Sequence, residues 1–166
     1  MSRSGPHGGG APGSSGPEQG ASVIHLRPAT LDDADFMLRL RNDPETRLNS
    51  HNTAMIARAD HMAWLADALK GDLIRIYVAS VDERPVGTVR VDDAVTHKML
   101  SWMVAPEPRG RGHGARMVRA VVDRTPELLR AEVKSFNVAS RRIAERAGLL
   151  LDREADGVCR YAIDAP

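Results

Sequence analysis

The segment Val104-Ala105-Pro106-Glu107-Pro108-Arg109-Gly110-Arg111-Gly112-His113-Gly114-Ala115 constrains this chain more than any other, because an apolar run passes into a glycine-rich turn and then directly into a helical pattern. Glycines at 110, 112 and 114 lack the Cβ atoms that would obstruct a phosphate. The first-turn N–H groups of a following helix have no intrahelical partner and sit at the positive end of its dipole. Arg109 and Arg111 add positive charge. The spacing therefore describes an anion site, the plain alternative being an ordinary glycine-bearing loop before a helix. The Walker pattern G-x-x-x-x-G-K-[ST] is absent, and a dinucleotide fingerprint would open a parallel βαβ unit, whereas these glycines follow a run of hairpin strands.

The elements on either side are legible from periodicity. Val23 to Pro28 reads as a short strand, and Thr30 with Asp33 three residues on marks a helix start. Ala34, Met37, Leu38 and Arg41 then share a face. A second helix runs from about Arg58, with Met62, Leu65, Ala66 and Leu69 at the helical period, to Gly71. Strand-like runs follow at Ile74–Val81, Val86–Asp92 and Met99–Val104, the first two joined by the turn Asp82 to Pro85. A helix from Gly112 carries Met117, Val118, Val121 and Val122 inward and stops at Thr125-Pro126. The rest reads as strand (Leu128–Val133), helix (Val138–Ala147, closed by Gly148) and two strands around Leu149–Leu151 and Val158–Ile163.

At 166 residues and 42% hydrophobic content the chain suits one domain with a proper core. Residues 1 to 22, dense in Gly, Pro and Ser, cannot offset their ordering entropy by burial and are expected to form a disordered tail before a domain spanning 23 to 166. With 23 Lys+Arg against 22 Asp+Glu, no excess of charge points to nucleic acid or a membrane surface, and a small-molecule partner is expected. The single cysteine, Cys159, excludes an internal disulfide or a cysteine-built zinc site. A free thiol and the lack of any apolar run near the ~18 residues of a spanning helix suggest a cytoplasmic protein.

Arg109-x-x-Gly112-x-Gly114 resembles the R/Q-x-x-G-x-G/A pyrophosphate loop of the GNAT superfamily of N-acetyltransferases. Asn137-Val138-Ala139-Ser140, followed by Ile143, Glu145 and Ala147-Gly148-Leu149, is similar to that family's N-x-x-S segment. The likeness covers about Val23 to Ile163. It implies an α/β fold with a mixed, mostly antiparallel sheet of about six or seven strands, about four flanking helices and a splay between strands four and five. It also implies acetyl-CoA as co-substrate and no metal. Backbone amides of Arg109, Gly110, Arg111, Gly112, His113, Gly114 and Ala115 would hold the pyrophosphate, Met103 and Val104 the pantetheine arm, and Asn137 and Ser140 would lie near the thiol. A neutral amine would attack the thioester directly, and since a free alkyl ammonium titrates near ~10, a base is needed. The family often places a Glu on the fourth strand. Here Thr96 to Trp102 has no carboxylate, so His97 is the nearest substitute, with Asp92 or Asp93 as second choice and a surface role as the plain reading. Many relatives carry a Tyr seven residues after the Asn, but this position is Ala144. Ser140, a water or, more remotely, Tyr161 would serve as acid.

The stretch from Leu40 to Asn52 and the H-x-x-W-L piece at His61–Leu65 is more polar than a helix connection needs. Arg41, Asn42, Arg47, Ser50, His51 and Arg90 are candidate acceptor-binding residues, a solvated connection being the plain alternative. R-N-x-x-x-x-R, H-x-x-W-L, V-G-x-V-R and S-W together resemble GNAT enzymes that acetylate nucleotide-linked amino sugars in pseudaminic-type pathways. Acetyltransferases of ribosomal-protein N-termini share the N-x-x-S ending and remain an alternative, as does a degenerate fold that binds acyl-CoA without catalysis. A homodimer is a possible assembly.

Overall fold

The computed structural model describes residues 22–164, so the expected tail lies outside the described residues apart from Ser22. In chain order the elements are β1 (His25–Pro28), a 3-10 turn (Leu31–Asp33), α1 (Ala34–Asn42), α2 (Pro44–Asn49), α3 (Arg58–Lys70), β2 (Ile74–Val81), β3 (Arg84–Asp93), β4 (Lys98–Val104), α4 (His113–Val122), β5 (Leu129–Lys134), α5 (Val138–Arg146), β6 (Leu150–Ala155) and β7 (Val158–Ile163).

Local chemistry sets several of these boundaries. At the start of the first helical segment the Thr30 N–H donates to Asp33 Oδ2 at 2.8 Å, and Arg27 clamps the same carboxylate at 2.7 and 2.8 Å. The hydrogen bond from Arg27 outweighs burial and holds the Asp33 carboxyl below its ordinary range. The β2–β3 turn is tighter than the four residues expected. Asp82 and Glu83 both take left-handed backbone (φ 48° and 65°), and Pro85 falls inside β3 beside a register shift at Ala79/Ser80, where a missing N–H is tolerated. The expected helix count is low by one. Asp43-Pro44, read as part of a polar connection, starts α2, with the Asp43 side chain accepting from the Thr46 N–H at 3.0 Å and proline in the first turn.

The strands form one sheet in the order β1-β2-β3-β4-β5-β7-β6, antiparallel throughout except for the parallel pair β4 and β5. One face packs Ile76 and Val78 against Ala34, Met37 and Leu65 of α1 and α3. The other packs Ala79, Val89 and Leu100 against Met117, Val118 and Val121 of α4 and Ala144 of α5. The period-two alternation of strands thus sends neighbouring side chains of β3 and β4 to different helix layers. Among the described residues no helix is long and apolar enough to cross a membrane.

The pair β4–β5 is the unusual one. It is registered over only three positions, Lys98, Met99 and Leu100 against Leu129, Arg130 and Ala131. Beyond them Ser101–Val104 stays paired to β3 and Glu132–Lys134 to β7, but the two strands part. Their facing backbone groups are left without sheet partners across the gap. Gly87 supports this end of the sheet from behind: it is opposite Val104, and a Cβ there would run into the Met103 carbonyl and lie 2.9 Å from the Met117 sulfur. Gly87→Ala is therefore expected to destabilise the fold by about 1–3 kcal/mol, as overpacking against backbone does, measured by urea unfolding.

Candidate active site

The gap between β4 and β5 continues into a cavity of about 1060 Å³ that reaches both layers of the molecule. Its donor-like end is the start of α4. Gly110 and Gly112 take φ of +78° and +77°, and a Cβ added at either would meet no atom within 4 Å, so glycine is needed there for conformation rather than for room. Gly112 is the N-cap of α4 and offers no side chain to its first turn. The N-terminus of α5 differs, since the Asn137 side chain accepts from the Ser140 N–H at 3.1 Å. Of the two helix starts at the gap, α4 alone is left open to an anion. Gly114 has another purpose: its Cβ would lie 2.5 Å from Ile143 Cδ1 and 3.1 Å from Val104 Cγ2, so it allows α4 to approach α5 and β4.

Met103, Val104, Arg109, Gly110, Gly112, His113, Gly114, Ala115, Asn137 and Ser140 all line this cavity, whereas Arg111 does not. The charge of Arg109 is not directed at the loop, as the sequence had suggested. Its guanidinium donates to Asp43 Oδ2 at 2.7 Å, to Glu45 Oε2 at 2.8 Å and to Thr46 Oγ1 at 3.3 Å, tying the loop to α2. Burial pushes the Asp43 carboxyl up, but hydrogen bonds from Arg109 and the Thr46 N–H outweigh it and hold the group below its ordinary range. On the other lip, Lys134 of β5 donates to the Leu48 carbonyl at 2.9 Å, and His51 Nε2 lies 3.7 Å from Glu132 Oε2. Helix α2 and the residues after it thus strap across the mouth of the gap.

The candidate bases are not brought to the cavity. His97 sits in the β3–β4 turn, at the closed end where β4 and β5 are paired. Six residues of extended strand, roughly 20 Å, separate it from Met103. Asp92 accepts from Arg90 at 2.6 Å, and Asp93 from Lys98 at 2.7 Å and Arg75 at 3.3 Å. None of the three lines the cavity. Tyr161 is a core residue, 1% exposed, its hydroxyl donating to Glu145 at 3.1 Å and accepting from Arg141 at 3.4 Å. Ser140 does face the cavity.

Of the acceptor candidates, Arg41, Ser50, His51 and Arg90 line the cavity and Asn42 and Arg47 do not. Asn42 clasps Ile56 through both its amide groups, each at 2.9 Å, and Arg47 holds the Thr53 carbonyl at 2.9 Å, so both fix the loop that follows α2. Arg41 donates to the Asn52 carbonyl, and its Nη1 is buried without a partner. Burial and the nearby Arg47 charge push its guanidinium down from its ordinary value. Arg90 bonds Asp92 and lies 5.3 Å over the Trp64 ring. Register places the two sides: Arg90 is opposite Ser101 and Thr88 opposite Met103, all on the face covered by α1 and α3.

Residues 24–150 match the family model described as the acetyltransferase (GNAT) domain. The chain belongs to the GNAT acetyltransferase family. Among curated proteins, none matches this chain. Among solved structures, a spermidine N-acetyltransferase from Vibrio cholerae, in complex with CoA and spermine, is similar at a TM-score of 0.74 and 15% identity, covering 84% of this chain and 94% of that one. The aminoglycoside acetyltransferase AAC(6')-Ib, in complex with coenzyme A and kanamycin, is similar at 0.72 and 18% identity, covering 86% and 95%. RimL, a ribosomal alpha-N-protein acetyltransferase in complex with coenzyme A, is similar at 0.73 and 12%, covering 87% and 96%.

In this GNAT acetyltransferase several cavity residues had no sequence signal strong enough to find them. Arg142 and Arg146 face the cavity from α5 one helical turn apart, a spacing that the sequence does show. Glu45 and Glu132 needed tertiary contacts to be found, and His61, which the sequence marks within H-x-x-W-L, also lines the cavity. Among the described residues no group of three or more His, Cys, Asp or Glu is arranged to hold a metal. Arg109→Ala is expected to lower stability by about 1–2 kcal/mol, reduced from a buried network by partial exposure, and Arg109→Lys should not restore it because the two-carboxylate fork is lost. Because the folded Asp43 carboxyl lies below its ordinary 3.8, this contribution is present above that value and disappears as pH falls through the folded one. Urea unfolding of wild type and variant across pH 2–7 checks it: the curves should converge in acid.

Proposed function

We propose that this enzyme transfers the acetyl group of acetyl-CoA to the primary amine of a nucleotide-linked amino sugar. The observation that carries the acceptor is Arg41, a guanidinium in the acceptor half of the cavity with a buried, unpartnered Nη1 and no carboxylate bonded to it. A partly buried charge of this kind is stabilised by an anion, and a phosphate offers the matching geometry. The carboxylates of the same cavity are already engaged, Glu45 by Arg109 and Glu132 by Arg160 at 3.1 Å, which disfavours a polycation or a basic peptide N-terminus. Sugar hydroxyls would find donors and acceptors in Ser50, Ser101 and His51 around it.

The donor side follows the same logic. The open N–H groups of α4 would bind the pyrophosphate, and Arg142 and Arg146 would add charge beside it. The unpaired edge of β4 at Met103 and Val104 would accept the pantetheine arm as an added strand, which satisfies backbone groups that the splay leaves open. Asn137 and Ser140 line the cavity from the α5 side of the gap, where they would lie near the thiol. The amine nitrogen then attacks the thioester carbonyl carbon and the C–S bond breaks, giving an amide and a thiol.

Two measurements test the two halves. Gly112→Val should raise the KM for acetyl-CoA about tenfold or more, since a β-branched residue resists the left-handed backbone that opens α4. An unchanged donor KM would refute the donor assignment. Arg41→Ala should weaken use of a UDP-linked 4-amino sugar by about 1.5–3 kcal/mol in kcat/KM while leaving the acetyl-CoA KM alone. Arg47→Ala, outside the cavity, should leave both nearly unchanged. Turnover of N-terminal peptides, spermidine or kanamycin with no response to the sugar nucleotide would sink the acceptor reading.

A further inference from the structure

A primary amine reaches the enzyme largely as an ammonium, and the cavity needs a group that takes its proton. Glu132 lines the gap but is bonded to Arg160, and His51 beside it is exposed. His61, at the start of α3, is different in kind. It is 4% exposed yet lines the cavity with Ile76, Thr88 and Arg90, and its Nε2 is buried without any hydrogen-bond partner. The ring packs against Trp64, centroids 5.6 Å apart, and Trp64 in turn carries Arg90. Its backbone N–H is satisfied by the Ala57 carbonyl at 3.0 Å, so the helix does not use the side chain.

We propose that His61 Nε2 is the base that accepts the proton of the acceptor ammonium, an assignment that rests on the acetyltransferase reading of this site but not on the identity of the amine. The Ala34 backbone carbonyl favours a proton on the ring. With Nε2 unpartnered, a proton held toward that carbonyl would sit on Nδ1 and leave the Nε2 lone pair for a ligand. The balance is simple. R–NH3+ gives one proton to His61, the neutral nitrogen forms its bond to the thioester carbon, and the C–S bond breaks. The second amine proton reaches the departing sulfur, and His61 returns its own to solvent. The charged group acting on the ring is Asp35 of α1, itself paired with Arg58 at 2.8 Å, while Arg41 and Arg90 line the same cavity, Arg90 over the neighbouring Trp64. Burial pushes the imidazole below its ordinary 6.5, against the raising influence of the Ala34 carbonyl and Asp35, a direction that suits a base.

The test begins with the wild-type protein. Long-range 1H–15N spectra of histidine-labelled enzyme should show His61 protonated at Nδ1 and bare at Nε2 at pH 7, and an Nε2–H tautomer would overturn the proposal. Next, whichever amine turns over among the UDP-linked 4-amino sugar, kanamycin and spermidine is used to compare wild type with His61→Gln. The variant should lose about 100-fold or more in kcat, keep its acetyl-CoA KM within about twofold, and lack the acid limb that the wild-type pH profile is expected to have. A variant whose melting temperature falls while its acid limb persists would assign His61 to packing and refute the role. Turnover of kanamycin or spermidine alone, with the His61→Gln effect intact, would overturn the acceptor reading and support this one. No turnover with any of the amines would overturn both.

Discussion

Three residue pairs hold β4 to β5, and the rest of the molecule is arranged around the place where that pairing stops. A seven-stranded sheet that closed along its whole length would satisfy every strand edge and leave no opening in its middle. Here the parting of Ser101–Val104 from Glu132–Lys134 leaves backbone donors and acceptors facing a gap, with the uncapped start of α4 at one side and the self-capped start of α5 at the other. A backbone group without a partner is costly when buried, so a molecule that keeps such an edge gains most from a ligand that lies along it. The two core layers stabilise the sheet on either side well enough for the interruption to persist.

The fold was legible in the sequence where signals were local. Thr30 and Asp33, the helical spacing of Met62, Leu65 and Leu69, and the glycines from 110 to 114 each report on their own few residues, and the elements form where those residues put them. Helix α2 was missed although Asp43-Pro44 is a local start signal, because the polar character of the following residues looked like a connection. The chemistry of the site was less legible for a physical reason. Arg109 meets Asp43 and Glu45 across more than sixty positions of chain, and no periodicity announces such a pair. Asn42 and Arg47 look like ligand-binding residues in a linear reading, yet their polar groups are spent on the backbone of residues 53 and 56. Conversely the sequence marks His61 only as the head of the H-x-x-W-L piece, and its burial beside the cavity is what sets it apart.

Glycine shows the same division between what a motif says and why it is needed. Gly112 is required for backbone conformation, as its loop position suggests. Gly114, two residues on, is required because Ile143 and Val104 occupy the space its side chain would fill. The repeated glycine of the motif thus combines two constraints, one on the left-handed backbone that opens α4 and one on the packing of α4 against α5.

The strap formed by α2 binds one lip of the gap through Arg109 and the other through Lys134. The same short helix presents Glu45, Thr46 and Asn49 to the acceptor half of the cavity. Its position is therefore a shared coordinate: six residues of helix fix the spacing of two lips that the sheet itself leaves unpaired, and they wall the cavity between them.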